Sequence, residues 1–250
     1  MVLNLEERLT ESLKIDIRNS LESKGYFLLR NFYAREKIEF IKLYLTKVMQ
    51  GSLPNYQLLQ KNCGNFFRIN FDDERSTVLT KSVQFNFFPW NQDFCDIFEH
   101  FGSLFDVRDR INKIMSPDML APIETNPSEL ITRLAVQFYP IGGGHLQAHS
   151  DPVGSHQIII ANVVMSEHGK DFTDGGLFVK QSLRSNKVYP ERDAAMGDVI
   201  LFKANMVHGV DAIDPRANFE PLKGCGRWML LSAITKPSGS TTIEDSKTYD

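Results

Sequence analysis

The stretch FYPIGGGHLQAHSDP, Phe138 to Pro152, sets His149 and Asp151 two positions apart after a glycine turn. On a strand, residues i and i+2 project to the same side, about 7 Å apart, so both can reach one ion. A polar surface loop would hold the same residues, so a metal reading needs a third ligand from elsewhere. Of the six histidines, His208 in GDVILFKANMVHGV stands just beyond a strong strand pattern and a Gly-Asp turn. Two histidines and a carboxylate are the facial set that suits non-haem Fe(II) and leaves three coordination positions open. His145 and His149 are four apart and could pair on a helix, but Gly142, Gly143 and Gly144 oppose a helix there. His100 and His168 sit among polar residues and His156 near a strand start, which makes them weaker candidates.

These residues need a scaffold. Leu5, Leu9, Leu13, Ile17 and Leu21 recur at spacings of four and predict an amphipathic helix over 5–24. A short strand over 25–32 and a second helix over 34–49 follow. Residues 50–90 read as irregular and aromatic-rich, with a strand at NFFRINF, and 91–115 read as helical again. Three prolines in 116–129 mark a junction. After 130 the texture changes to β-branched and aromatic runs bounded by Gly, Pro, Asp and Asn: LITRLAVQFYP, HQIIIANVVMS, GGLFVKQSL, GDVILFKA and GRWMLLSAIT. Several such strands imply a sandwich or jelly roll. The expected class is therefore α+β, with N-terminal helices and lid segments over 1–129 packed on a jelly-roll core over 130–236. A loose polar tail is expected over 237–250.

The first core strand has two unlike faces. Leu134, Val136 and Phe138 lie on one side, and Arg133, Ala135, Gln137 and Tyr139 on the other. The first face should pack on helices or an opposing sheet. The second should line a wet cavity, as in a barrel that holds a ligand.

A net charge of -3 gives no electrostatic footprint for nucleic acid. No apolar run is long enough to cross a bilayer, and the charged N-terminus lacks the apolar stretch of a signal peptide. Three scattered cysteines without a C-x-x-C pair argue against a disulfide framework and for a reducing, cytoplasmic setting. The oligomeric state is not legible.

In order along the chain come a strand ending FYP, a glycine turn, HSD, Gly175-Gly176 before a strand, GDVILF, VHGV and GRW. This ordered set, over about 130–235, resembles the iron(II)/2-oxoglutarate-dependent dioxygenases of the prolyl-hydroxylase-like and phytanoyl-CoA-hydroxylase-like kind. The opening KGYFLLRNFYAREKIEFI is also similar to such enzymes. The resemblance implies a double-stranded β-helix with His149, Asp151 and His208 as catalytic metal ligands. It further implies Fe(II), 2-oxoglutarate as co-substrate, and dioxygen. Arg227, at the start of the last core strand, matches the arginine that holds the far carboxylate of 2-oxoglutarate, for which a bidentate guanidinium is suited. Two departures stand out: DAIDPRANFEPLKG lengthens the gap from His208 to Arg227, and Met229 takes the place of a familiar serine. Arg216, within that insertion, is the competing arginine. Tyr139 matches a tyrosine that helps hold 2-oxoglutarate, and Gln137 shares its face. With Asp151 present, hydroxylation is favoured over halogenation.

The implied reaction is hydroxylation of a small polar metabolite with release of succinate and CO2. A protein-modifying hydroxylase and a non-catalytic metal-binding sensor or scaffold are the alternatives. For substrate contact the candidates are Arg68 and Asn70, which share a strand face, and Asn162 in the apolar run IIIANVV. A surface ion pair of Arg68 with Asp72 or Asp73 is the opposing reading.

Overall fold

The computed structural model describes residues 9–119, 130–154, 156–240 and 244–249. Helix α1 spans Glu11–Ser23 and is capped by Thr10, whose hydroxyl accepts from the Leu13 N–H at 3.3 Å. The expected helix start near residue 5 lies outside the described residues. Strand β1 (Tyr26–Leu29) leads to α2 (Arg35–Gly51), then β2 (Phe66–Phe71) and β3 (Thr80–Phe87). Helices α3 (Ile97–Phe101) and α4 (Ser103–Met115) precede β4 (Ile131–Pro140), β5 (Gly144–Ser150), β6 (Ile159–Val164) and β7 (Gly176–Lys180). The chain closes with β8 (Val199–Lys203), β9 (Val207–Ile213), β10 (Gly226–Thr235) and β11 (Lys247–Thr248).

The strands run in the order β1-β8-β6-β10-β4-β3-β5-β9-β7, with β2 on the outer side of β3 and β11 on β5. All their pairings are antiparallel. One wall is β1-β8-β6-β10-β4-β3 and the other β5-β9-β7. Strand β3 joins them, pairing Phe85 with Val136 on one side and Lys81 with His145 on the other. The result is a jelly roll, as the strand pattern implied.

The region 50–90 is not an irregular lid. Two of its segments, β2 and β3, are integral to the sheet. Strand β3 is buried almost throughout despite carrying Ser82, Gln84 and Asn86, because those polar side chains sit on the cavity-facing parity of the wall.

The apolar face of β4 does what its alternation requires. Leu134, Val136 and Phe138 are fully buried in one cluster with Ile17 and Leu21 of α1, Ile38 and Ile41 of α2, and Leu104 and Phe105 of α4. Trp228 on β10 stacks on Phe138 at 4.4 Å between ring centroids. Each such aromatic contributes a few kcal/mol through burial. This packed layer fixes β4 and β10, and so aims their opposite faces inward.

The glycine turn is also fixed. Gly142 has φ 81°, and a Cβ there would come within 2.6 Å of the Phe219 backbone. Its N–H donates to Asp214 and that of Gly143 to Ile213. The long insertion after β9 thus folds over the turn that precedes the H-x-D pair.

The tail is not loose where it is described. Lys247 and Thr248 pair with Ser150 and His149. The Tyr249 hydroxyl lies 3.0 Å from that of Ser150.

Candidate metal centre and its cavity

Strands β5 and β9 are adjacent, and their register places His149 directly opposite His208. Asp151 follows one residue after β5 and is held by its N–H, which donates to the Ala204 carbonyl at 2.9 Å. His149 Nε2 lies 3.7 Å from Asp151 Oδ1, and His208 Nε2 3.6 Å from Oδ2. One ligand atom from each of the three residues falls within 4.8 Å of the others.

Both imidazoles are oriented through their remote nitrogens. His149 Nδ1 meets the Gln147 carbonyl at 2.9 Å, and His208 Nδ1 meets Met206 at 2.8 Å. A carbonyl can only accept, so each Nδ1 carries the proton and each Nε2 presents a lone pair to the centre. Burial, with the nearby His208, pushes the His149 imidazole down to about 4, so it is neutral and ready to ligate at physiological pH. Burial opposes the Asp151 anion, but the two imidazoles beside it, His208 first, and the Ser246 hydroxyl outweigh it and hold the carboxyl below its usual range. Ser246 donates to Asp151 Oδ1 at 2.6 Å, which leaves Oδ2 for the centre. This donor set, two imidazole nitrogens and one oriented carboxylate, fits a divalent transition metal.

The three residues open on a cavity of about 310 Å³, at the lower end of the small-molecule range. Tyr139, Gln137 and Asn162 line it, as their strand parity implies. The Tyr139 phenol donates to Gln137 Oε1 at 2.5 Å and burial keeps it protonated. Asn162 is buried with an unpartnered Oδ1.

Arg227 lies at the start of β10, opposite Tyr139, whose ring its guanidinium covers at 5.1 Å. It is fully buried and does not line the cavity. The expected bidentate clasp on a ligand is closed instead on Glu191, with Nε at 2.8 Å and Nη2 at 2.6 Å from its carboxylate. Only Nη1 is buried without a partner. A single nitrogen, Nη1, therefore remains for a co-substrate carboxylate. Arg216, the competitor, is exposed in the insertion.

Two substrate candidates lie on β2. Asn70 is buried and already engaged, donating to Ser76 Oγ at 2.6 Å and accepting from the Asp73 N–H at 3.0 Å. It stabilises the turn after β2. Arg68 is half-buried, and the ion pairs imagined for it do not form, since Asp73 binds Arg75 and Asp72 binds His145.

Several residues in and behind the cavity wall carried no signal of their own in the sequence. Glu191 sits in a 3-10 turn of charged residues that reads as surface. Ser246 lies in a polar tail. Arg133 was visible on the polar face of its strand without any sign of what it meets, and His156 also lines the cavity.

Fold and site together define a jelly roll with a two-histidine, one-carboxylate centre at the open end of β5 and β9. No family model matches the chain, and no curated protein matches it. Among solved structures it is similar to a prolyl-4-hydroxylase from Pseudomonas putida, with a TM-score of 0.55 and 12% identity over 90% of this chain and 100% of that one. A candidate oxygenase from Shewanella oneidensis gives a TM-score of 0.57 and 13% identity, covering 94% of this chain and 91% of its own. At such identities the likeness is one of fold.

Proposed function

We propose that the chain is an Fe(II)- and 2-oxoglutarate-dependent dioxygenase that hydroxylates a small polar molecule. Dioxygen and 2-oxoglutarate are consumed, and succinate, CO2 and the hydroxylated product are formed. The observation that carries this reading is the buried His149, Asp151 and His208 set, oriented through its Nδ1 atoms and opening on a cavity of small-molecule size. The shared fold with a prolyl-4-hydroxylase agrees with it.

Bound iron supplies the activation of dioxygen and the oxidative decarboxylation of the co-substrate. The chain's part is to position and to shield. His149, Asp151 and His208 would hold the ion through one ligand atom each. Tyr139 and Gln137 line the end of the cavity suited to the far carboxylate of 2-oxoglutarate, and the guanidinium that covers the Tyr139 ring, that of Arg227, keeps its Nη1 buried and unpartnered beside it. The apolar groups Leu177, Phe202, Val210 and Met229 around the centre exclude water. A cavity of this size favours a metabolite over a peptide. The fold likeness to a prolyl-4-hydroxylase keeps a protein substrate as the second reading.

The test is an anaerobic titration of Fe(II) with 2-oxoglutarate, read as a weak visible charge-transfer band. An aerobic screen for succinate release across amino acids, sugars, acyl carriers and prolyl peptides follows. The band and succinate release with a small molecule are expected. Metal binding without a band or any succinate would leave a non-catalytic scaffold.

A further inference from the structure

The inward face of the main wall carries two arginines that no described carboxylate neutralises. Arg133 on β4 lines the same cavity as the metal ligands. Its Nη1 donates to Asn86 Oδ1 on β3, and its buried Nε has no partner. Arg68 approaches from β2, opposite Gln84, which in turn stands opposite Gln137. Asn86 stands opposite Ala135, two residues from Arg133. Cross-strand partners share a face, so Arg68, Gln84, Asn86, Gln137 and Arg133 all lie on the cavity side. Three nearby acids are otherwise engaged, Asp73 with Arg75, Asp72 with His145 and Asp245 with Lys236, and Glu244, which also lines the cavity, is exposed and forms no ion pair with either arginine.

Burial, then the charge of Arg68, draws the Arg133 guanidinium down to about 10, which still leaves it charged at neutral pH. Two facing cations in a desolvated wall disfavour the empty fold, and an anion placed between them removes that penalty. The site is distinct from the Arg227 end. Arg133 pairs with Ala233 and Tyr139 with Arg227, six residues apart on each strand, or about 20 Å. After Pro140 the chain reverses, so β5 carries His149 and Asp151 back toward the Arg133 end.

We propose that Arg133 and Arg68 form an oxyanion subsite for the substrate, so that the molecule hydroxylated carries a carboxylate or a phosphate. An anion gripped there leaves the rest of a small molecule lying over the metal ligands. The fate of the bound molecule rests on the dioxygenase reading; the binding of an anion does not. Asn86 acts as the positioning residue that holds Arg133 by one nitrogen and leaves its Nε open.

The experiment is calorimetric titration of inorganic phosphate and, separately, acetate into the full chain without metal. Saturable binding that weakens as salt is raised is expected. Arg133→Gln and Arg68→Gln should each weaken it tenfold or more, and the stronger probe reports which group the substrate bears. In buffer free of either probe, Arg68→Gln should melt no lower than the parent, because it removes one of two facing charges. Absence of saturable binding by the parent, or parental affinity in both variants, overturns the proposal. A clear fall in the melting temperature of Arg68→Gln does so too, since it would reveal a structural partner. The Fe(II) and 2-oxoglutarate titration separates the two readings. Anion binding without the band removes the dioxygenase and keeps the subsite, and the band without anion binding does the reverse.

Discussion

Replacing His149 or His208 by alanine is expected to abolish succinate release and Fe(II) retention while leaving the far-ultraviolet circular dichroism unchanged. Each histidine supplies one of three ligands from a preformed site, with its Nε2 aimed by a backbone carbonyl at Nδ1. Loss of a supporting partner alone costs about tenfold to a hundredfold in metal affinity, and loss of a ligand costs more. The fold should survive, because both rings sit at one end of β5 and β9 and not in the helix-backed core. Metal content after gel filtration and succinate assayed at saturating iron check the result. Parental turnover in either variant would remove that histidine from the chemistry.

The second large effect is at Arg227. Truncation to alanine should destabilise the protein by about 3–5 kcal/mol, because it leaves the Glu191 carboxylate buried with its charge unmatched. The Leu177 N–H, at 2.9 Å from Glu191 Oε2, cannot compensate alone. Urea unfolding measures this. Arg227→Lys separates stability from function. It keeps a cation beside Glu191 but gives up the free Nη1. Its 2-oxoglutarate requirement should rise about tenfold to a hundredfold, the worth of one charge-assisted hydrogen bond, with the substrate KM little changed. An unaltered 2-oxoglutarate requirement in Arg227→Lys would mean that the far carboxylate is held by another group.

What could be read from the residues followed their physics. Alternation on LITRLAVQFYP separated a helix-facing side from a cavity side, and both lie where that period puts them. His149, Asp151 and His208 were legible because ligand chemistry restricts residue type. Strand β3 carries the same alternation, which the reading of 50–90 as irregular passed over: in TKSVQFNF, Val83, Phe85 and Phe87 on the core side alternate with Ser82, Gln84 and Asn86 on the cavity side. Glu191 escaped for another reason. Its partner is 36 residues away, and a charged 3-10 turn carries no sign that its carboxylate points inward. The two-residue strand β11 is likewise defined only by β5, a tertiary partner that overrides its weak local preference.

The order of strands bears on what would happen if the backbone were severed. The turn after β7 is exposed at Gln181–Arg184. Every described strand beyond it, β8 to β11, is hydrogen-bonded only to strands before it: β8 to β1 and β6, β9 to β5 and β7, β10 to β4 and β6, and β11 to β5. The two pieces left by a nick there would mesh like the teeth of two combs. Neither comb holds a complete wall, and His208 would stay beside His149 only through that meshing. The metal centre thus belongs to the interleaving itself and to no separable segment of the chain.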